Sequence, residues 1–351
     1  MHVFIMEFFL RLKDQDQHKD DYVMSKPWLK DGICLDLILL ENQLPIHVLN
    51  ELYEFVPKEK ENPQGEKVCS ICSIKKETGK ECCTFLDLAC KCGFFEPCPV
   101  CKCVCNPPKN PKSENECKHT PTKNAKHLTD LRRCFYIPKL PDSESESESD
   151  SDSGSDSFIT YSATKLHDSG ISFKAARERY SLDVNFKNHS CIFWLFSFIT
   201  CFKITKALLQ IPKLIIEDGT ERELRNLIAL EQCHYPDHSH ICNYVSLIDD
   251  LIETKEDVDF LLDEKIIVNH LGSNDEAEKL VNSLCKELVM GPGLFQNQIK
   301  ELNAHYENPF NRTMATLRSV YFKDLWRGSA TIVGLAVLAF TFVNFFRPTH
   351  K

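Results

Sequence analysis

A chain of 351 residues has room for one large or two ordinary domains, and a hydrophobic content of 42% with 23 Phe is enough to build a core. The formal net charge of −9 argues against nucleic acid as the main partner, because phosphate binding is driven by Lys and Arg. The negative mean hydropathy excludes a multi-span membrane protein, so any membrane segment must be local.

The opening stretch, MHVFIMEFFLR from Met1 to Arg11, lacks a basic leader and a small-residue cleavage site. It reads as a buried amphipathic helix, and without a signal peptide the bulk of the chain is expected in the cytosol. From Asp31 to Val56, a capping Asp31 and a dense apolar run lead to Pro45, after which Val48, Leu49, Leu52, Tyr53 and Val56 recur at helical spacing. This predicts a helix pair broken at Leu44-Pro45, with Pro45 in the first turn, where a backbone N–H has no partner to lose.

More than half of the 18 cysteines fall between Cys69 and Cys105. Cys69-x-x-Cys72 and Cys98-x-x-Cys101 have zinc-knuckle spacing, since two intervening residues let both thiolates reach one tetrahedral ion. Cys82, Cys83, Cys90, Cys92, Cys103 and Cys105 crowd the same stretch with no clean pattern. A structural zinc site at Cys69, Cys72, Cys98 and Cys101 therefore stands beside the alternatives of an adventitious Cys-rich loop or redox-labile thiols.

His127–Phe135, HLTDLRRCF, predicts a short buried helix with Leu128, Leu131 and Phe135 on one face. Asp142–Ser157, DSESESESDSDSGSDS, alternates acid and serine without an apolar residue to bury, so it is expected to be a disordered, solvated linker. Its serines lie where acidophilic kinases act, and phosphates there would make an electrostatic arm for a basic partner; the alternative is an inert spacer. Alternation at Ile171/Phe173 and Leu182/Val184/Phe186 predicts a small β element around residues 169–187, with another strand at Leu214–Ile216.

The block CIFWLFSFITCF, Cys191–Phe202, is too short to span a bilayer; it reads as translated intron sequence, since it breaks the surrounding pattern, or alternatively as a re-entrant or interfacial piece. A capping box at Thr220-x-x-Glu223 is expected to open a helix with Leu224, Leu227 and Ile228 inward, ending at His234-Tyr235-Pro236. Further amphipathic helices are predicted at Ile241–Ile252 and, from Ser273-x-x-Glu276, through Leu288, both packing on a core. Cys233, His234, His238, His240 and Cys242 resemble a metal cluster, against the simpler reading of an interhelical loop flanked by two buried apolar cysteines.

Ser329–Phe346, SATIVGLAVLAFTFVNFF, carries no charge and lies between Arg327 and Arg347. Roughly 18 residues at ~1.5 Å each reach about 27 Å, enough for a transmembrane helix in residues 327–347. The flanking charges give no orientation by the positive-inside rule. Asn188-His-Ser190 and Asn311-Arg-Thr313 are glycosylation sequons that matter only if the bulk faces a lumen.

Taken together, DLILLENQLPIHVLNELY at Asp36–Tyr53, FIMEFF, HLTDLRRCF, FLDLACKCGFF at Phe85–Phe95, SATKLHDSGISF at Ser162–Phe173, LDVNF and RNLIALEQC at Arg225–Cys233 resemble, in order, the plant family called domain of unknown function 247 (DUF247, UPF0481). The resemblance implies a mainly helical, membrane-associated plant protein, with some members linked to pollen self-incompatibility as recognition determinants, and no established catalytic residues. Family members usually carry a segment upstream of FIMEFF, so it also implies a shortened member. It points to the plasma membrane as the location.

The resulting expectation is a mainly α protein with a small β element and a C-terminal transmembrane helix. Residues 1–141 form the N-terminal helical part, with a Cys-rich insertion at about 66–118; residues 142–157 form the linker and residues 158–326 the C-terminal part. No P-loop, dinucleotide fingerprint, nucleophile elbow or HExxH pair occurs, so no catalytic residue, cofactor-binding residue or small-molecule substrate is inferred. The functional expectation is a membrane-anchored, non-enzymatic recognition or scaffold protein, held by residues 329–346, with a protein or peptide partner. The alternative is a zinc-stabilised regulatory module.

Overall fold

The computed structural model describes residues 2–14, 17–56, 59–61, 67–69, 84–91, 125–137, 158–176, 182–187, 207–289, 293–309, 311–313, 316 and 325–345. These residues are mainly α-helical with small β elements. The Ser/acid tract, Cys72, Cys98, Cys101 and the Cys191–Phe202 block lie outside them.

Among the described residues, five helices surround a first core: α1 (His2–Lys13), α2 (Pro27–Asp36), α3 (Ile46–Glu54), α4 (Phe85–Lys91) and α5 (Leu128–Tyr136). The apolar stripe of α1 puts Ile5, Phe8, Phe9 and Leu12 inside, as a 3.6-residue period requires. Phe9 meets Phe85 edge to face at 5.1 Å, and Leu49, Tyr53, Leu88 and Leu131 complete the interior. Between α3 and α4, β1 (Glu59–Glu61) pairs antiparallel with β2 (Lys67–Cys69).

The helix pair breaks earlier than expected. α2 opens with Pro27 after an extended Lys26, so Asp31 lies inside the helix and caps nothing. It ends at Asp36, and Leu40–Asn42 make one 3-10 turn before Pro45, itself extended, caps α3. The reason is Gln43, whose Nε2 donates to the carbonyl of Leu37 (2.9 Å), the residue that closes α2, and to that of Leu39 (2.6 Å), which also accepts from Asn42 N.

A second core is formed by α6 (Ala163–Asp168), β3 (Ile171–Ala175), β4 (Asn185–Lys187), β5 (Ala207–Ile211), β6 (Leu214–Ile216), α7 (Thr220–His234), α8 (His240–Asp250), α9 (Lys255–Asp263), β7 (Ile267–Asn269), α10 (Asn274–Leu284) and α11 (Gln296–Glu307). β5 is central in a three-stranded sheet, parallel to β3 and antiparallel to β4. Its register places Leu209 opposite both Phe173 and Phe186, a row of side chains all turned to the core. Pro212 and Lys213 then pass the chain to β6, which pairs in parallel with β7. The Tyr244 hydroxyl donates to the Pro212 carbonyl at 3.0 Å, satisfying a group that burial would otherwise strand.

The alternation at Ile171/Phe173 and Leu182/Val184/Phe186 and the strand at Leu214–Ile216 are as expected, whereas β5, β7 and α9 were not foreseen. The Thr220 capping box is absent. Gly219 takes the N-cap, while Thr220 Oγ1 accepts from Glu217 N (2.8 Å) and donates to Ile215 O (3.3 Å), fixing the turn instead. At α10 the expected cap is present, with Ser273 Oγ accepting from Glu276 N at 3.3 Å, but the helix stops at Leu284 and Leu288 packs from beyond it.

The last helix, α12, runs Leu325–Phe345. Among the described residues no single helix is long and apolar enough to cross a membrane, and the described apolar part of α12 is Ile332–Phe342. The bent pair Pro27–Asp36 and Leu40–Glu54 has sufficient length and composition together, but Leu49 and Tyr53 within it are committed to the first core.

Candidate functional site

Among the described residues, a constellation of charged and polar groups lies where the two cores meet, between α5 and α7. Leu128 and Leu131 hold α5 against the first core, while Arg132, Arg133 and Tyr136 reach the second half of the chain. Arg133 is nearly sealed from water and Glu231 completely so; Nε donates to Oε1 at 2.8 Å. The same guanidinium donates to the His238 carbonyl and lies 4.2 Å over the Tyr235 ring. The other oxygen of Glu231 accepts from the N–H groups of Ile241 (2.8 Å) and Cys242 (3.0 Å), the first turn of α8, where helix geometry leaves donors unpaired.

Around this centre the contacts remain polar. Glu223 Oε1 accepts from Arg132 (2.6 Å) and from the Tyr136 hydroxyl (2.8 Å), and the Tyr235 hydroxyl donates to Asp130 at 3.0 Å. Asn226 Oδ1 accepts from Leu40 N at 2.9 Å, and Arg222 reaches Asp36 at 3.1 Å. Gln43 Oε1 accepts from Thr129 N at 3.0 Å, tying the turn after α2 to α5. Leu35 packs on Gly219 so closely that an added Cβ would meet its Cδ1 at 2.9 Å.

Burial sets the chemistry of the site. It pushes His240 down to about 4, with Arg133 and His238 adding to the effect, so the imidazole is neutral near pH 7. It pushes the Glu231 carboxyl up, opposed by the Cys242 N–H and by Arg133. Tyr235 rises to about 12 through burial and the Asp130 charge. Cys34 and Cys134 rise to about 12 and about 11, and Cys242 is raised too, so these thiols are protonated and poorly nucleophilic at neutral pH.

Of the sequence candidates, Cys69 ends β2, while its three expected partners Cys72, Cys98 and Cys101 lie outside the described residues. Cys233, His234, His238, His240 and Cys242 form no common site. Cys242 is buried as expected, but Cys233 is exposed, because α7 turns that position to solvent. Among the described residues no group of three or more His, Cys, Asp or Glu is placed to hold a metal ion. Sequence reading missed Arg133 and Glu231, although a charge at Glu231 on the same stripe as Leu224, Leu227 and Ile228 signals a buried partner.

The site is built from the segments that carry the family resemblance: LENQLP supplies Leu40 and Gln43, HLTDLRRCF supplies Asp130, Arg132 and Arg133, and RNLIALEQC supplies Asn226 and Glu231. The family described as "Plant protein of unknown function", DUF247, matches residues 2–340. The chain belongs to this family. Among its relatives, "UPF0481 protein At3g47200" of Arabidopsis thaliana is 26% identical, over 97% of this chain and 65% of its own length. "Putative UPF0481 protein At3g02645" of the same plant is 25% identical over 53% of this chain and 32% of its own length. The chain thus spans less than two thirds of either relative, and no solved structure matches it.

Proposed function

We propose that the chain is a membrane-anchored recognition or scaffold protein without catalytic activity, whose helical body presents a surface to a protein or peptide partner. The observation that carries this reading is α12. Ile332, Val333, Val337, Leu338, Phe340 and Phe342 are all exposed, and at 100° per residue these positions point around the helix in every direction. Water tolerates a helix with one apolar face, not one apolar all round, and a bilayer is the environment that suits it. The raised thiols of Cys134 and Cys242 beside the polar seam, which lack the thiolate a nucleophile needs, favour a binding role over covalent chemistry.

The test is fractionation and protease protection of an N-terminally tagged full-length protein in sealed microsomes, beside a version ending at Trp326. The reading requires the full chain to pellet, its tag to be digested without detergent, and the shortened version to be soluble. A protected tag with sugar on Asn188 or Asn311 would move the body to the lumenal or extracellular side. A full chain that stays soluble would end the anchoring proposal.

A further inference from the structure

The two apolar cores draw on separate stretches of chain. The first uses buried residues from Ile5 to Leu131, and the second those from Ile159 to Leu302. Among the described residues, what joins them is mostly polar, Leu35 against Gly219 and Tyr136 against the second core being the apolar exceptions. Asp36–Arg222, Leu40–Asn226, Arg132–Glu223, Arg133–Glu231, Tyr136–Glu223 and Asp130–Tyr235 are all ion pairs or hydrogen bonds. Apolar burial stabilises each side in proportion to area removed from water, whereas a polar contact exchanges one partner for water and gains little net. Interfaces of that composition within a chain are the ones that allow their two sides to move.

We infer that the chain consists of two separately cored lobes held by a releasable polar latch centred on Arg133 and Glu231, and that the lobes part as units. The latch is tied to one local element. Glu231 holds the first N–H groups of α8 through its second oxygen, and Arg133 holds the His238 carbonyl in the turn that precedes it. Release of the pair therefore loosens the turn at Pro236–His238 and the start of α8 together with the α5–α7 seam. The remaining helices of each lobe keep their apolar contacts.

Hydrogen exchange read by mass spectrometry on the full chain tests this, comparing wild type with Arg133→Gln. The expected result is exchange faster by roughly tenfold or more in α5 and at the Ile241 and Cys242 amides, with α9, α10 and the β3–β5–β4 sheet unchanged. Because Arg133 is buried, a second variant combines Arg132→Gln with Asp36→Asn, which removes two less buried contacts across the same seam. It should give the same pattern at smaller amplitude, increasing between about 0.1 M and 1 M salt as charge screening grows. Uniform acceleration throughout both lobes in this second variant would show one cooperative unit and overturn the proposal, as would unchanged exchange at the seam in both variants.

Discussion

Glu231 occupies a position on α7 that the helical period reserves for an apolar side chain, and it is stable there only because Arg133 and two backbone N–H groups surround it. Arg133→Ala leaves that carboxyl buried without its counter-charge, and the expected loss is about 3–5 kcal/mol in urea unfolding. The double variant Arg133→Met/Glu231→Leu should lose less than the two single losses added together, since no charge is then stranded. Two further residues give opposite pH slopes. His240 is held at about 4, below its ordinary 6.5, so the unfolded chain takes up a proton first and this contribution, complete above 6.5, is lost as pH falls toward 4. Asp250, pushed up by burial to about 6 from 3.8, contributes below 3.8 and loses its contribution as pH rises through 6. The expected outcome in urea midpoints is a His240→Gln variant whose stability, relative to wild type, falls as pH rises from 4 to 6, and an Asp250→Asn variant with the reverse trend. Neither shift was legible in the sequence, because burial at both positions depends on helices far away in the chain.

At the scale of elements, the sequence showed where helices are but not always what ends them. The stripes of α1, α5, α7, α8 and α10 were legible because apolar side chains recur with the helical period. Thr220 misled because it bonds backbone groups near itself, which local spacing cannot distinguish from a helix cap, and the early end of α2 was hidden because Gln43 acts on it from beyond the helix. α9 was missed although Thr254-x-x-Asp257 is a capping-box pattern, and there Asp257 Oδ2 accepts from both the backbone N–H and the hydroxyl of Thr254 at 2.9 Å. Asp257 goes further: fully buried, it also accepts from the backbone and hydroxyl of Thr164, joining α9 to the start of α6. The two caps should therefore differ in weight. Ser273→Ala, at an exposed cap, is expected to cost about 1 kcal/mol. Asp257→Ala removes the shared acceptor of Thr164, Glu253 and Thr254 in part-buried surroundings and should cost more, about 2–3 kcal/mol, and chemical denaturation of the two variants side by side checks the difference.

At the scale of the molecule, the body and α12 obey different rules. In the body, an apolar side chain is stabilising because it leaves water, so Leu131→Ala or Leu261→Ala is destabilising through the cavity it opens. In α12 the exposed Val333 and Leu338 contribute nothing to either core, so their replacement leaves the body's unfolding unchanged. The same side chains matter greatly if the helix enters a bilayer, where an Arg near the helix centre costs about 2.5–3.5 kcal/mol. The double variant Val333→Arg/Leu338→Arg separates the two environments without shortening the chain. Its thermal midpoint in detergent should match wild type, while the protein should shift from the membrane pellet to the soluble fraction of sealed microsomes. If the variant pellets as fully as wild type, α12 is not the anchor. If its thermal midpoint drops, the helix packs on the body and its apolar surface belongs to the fold.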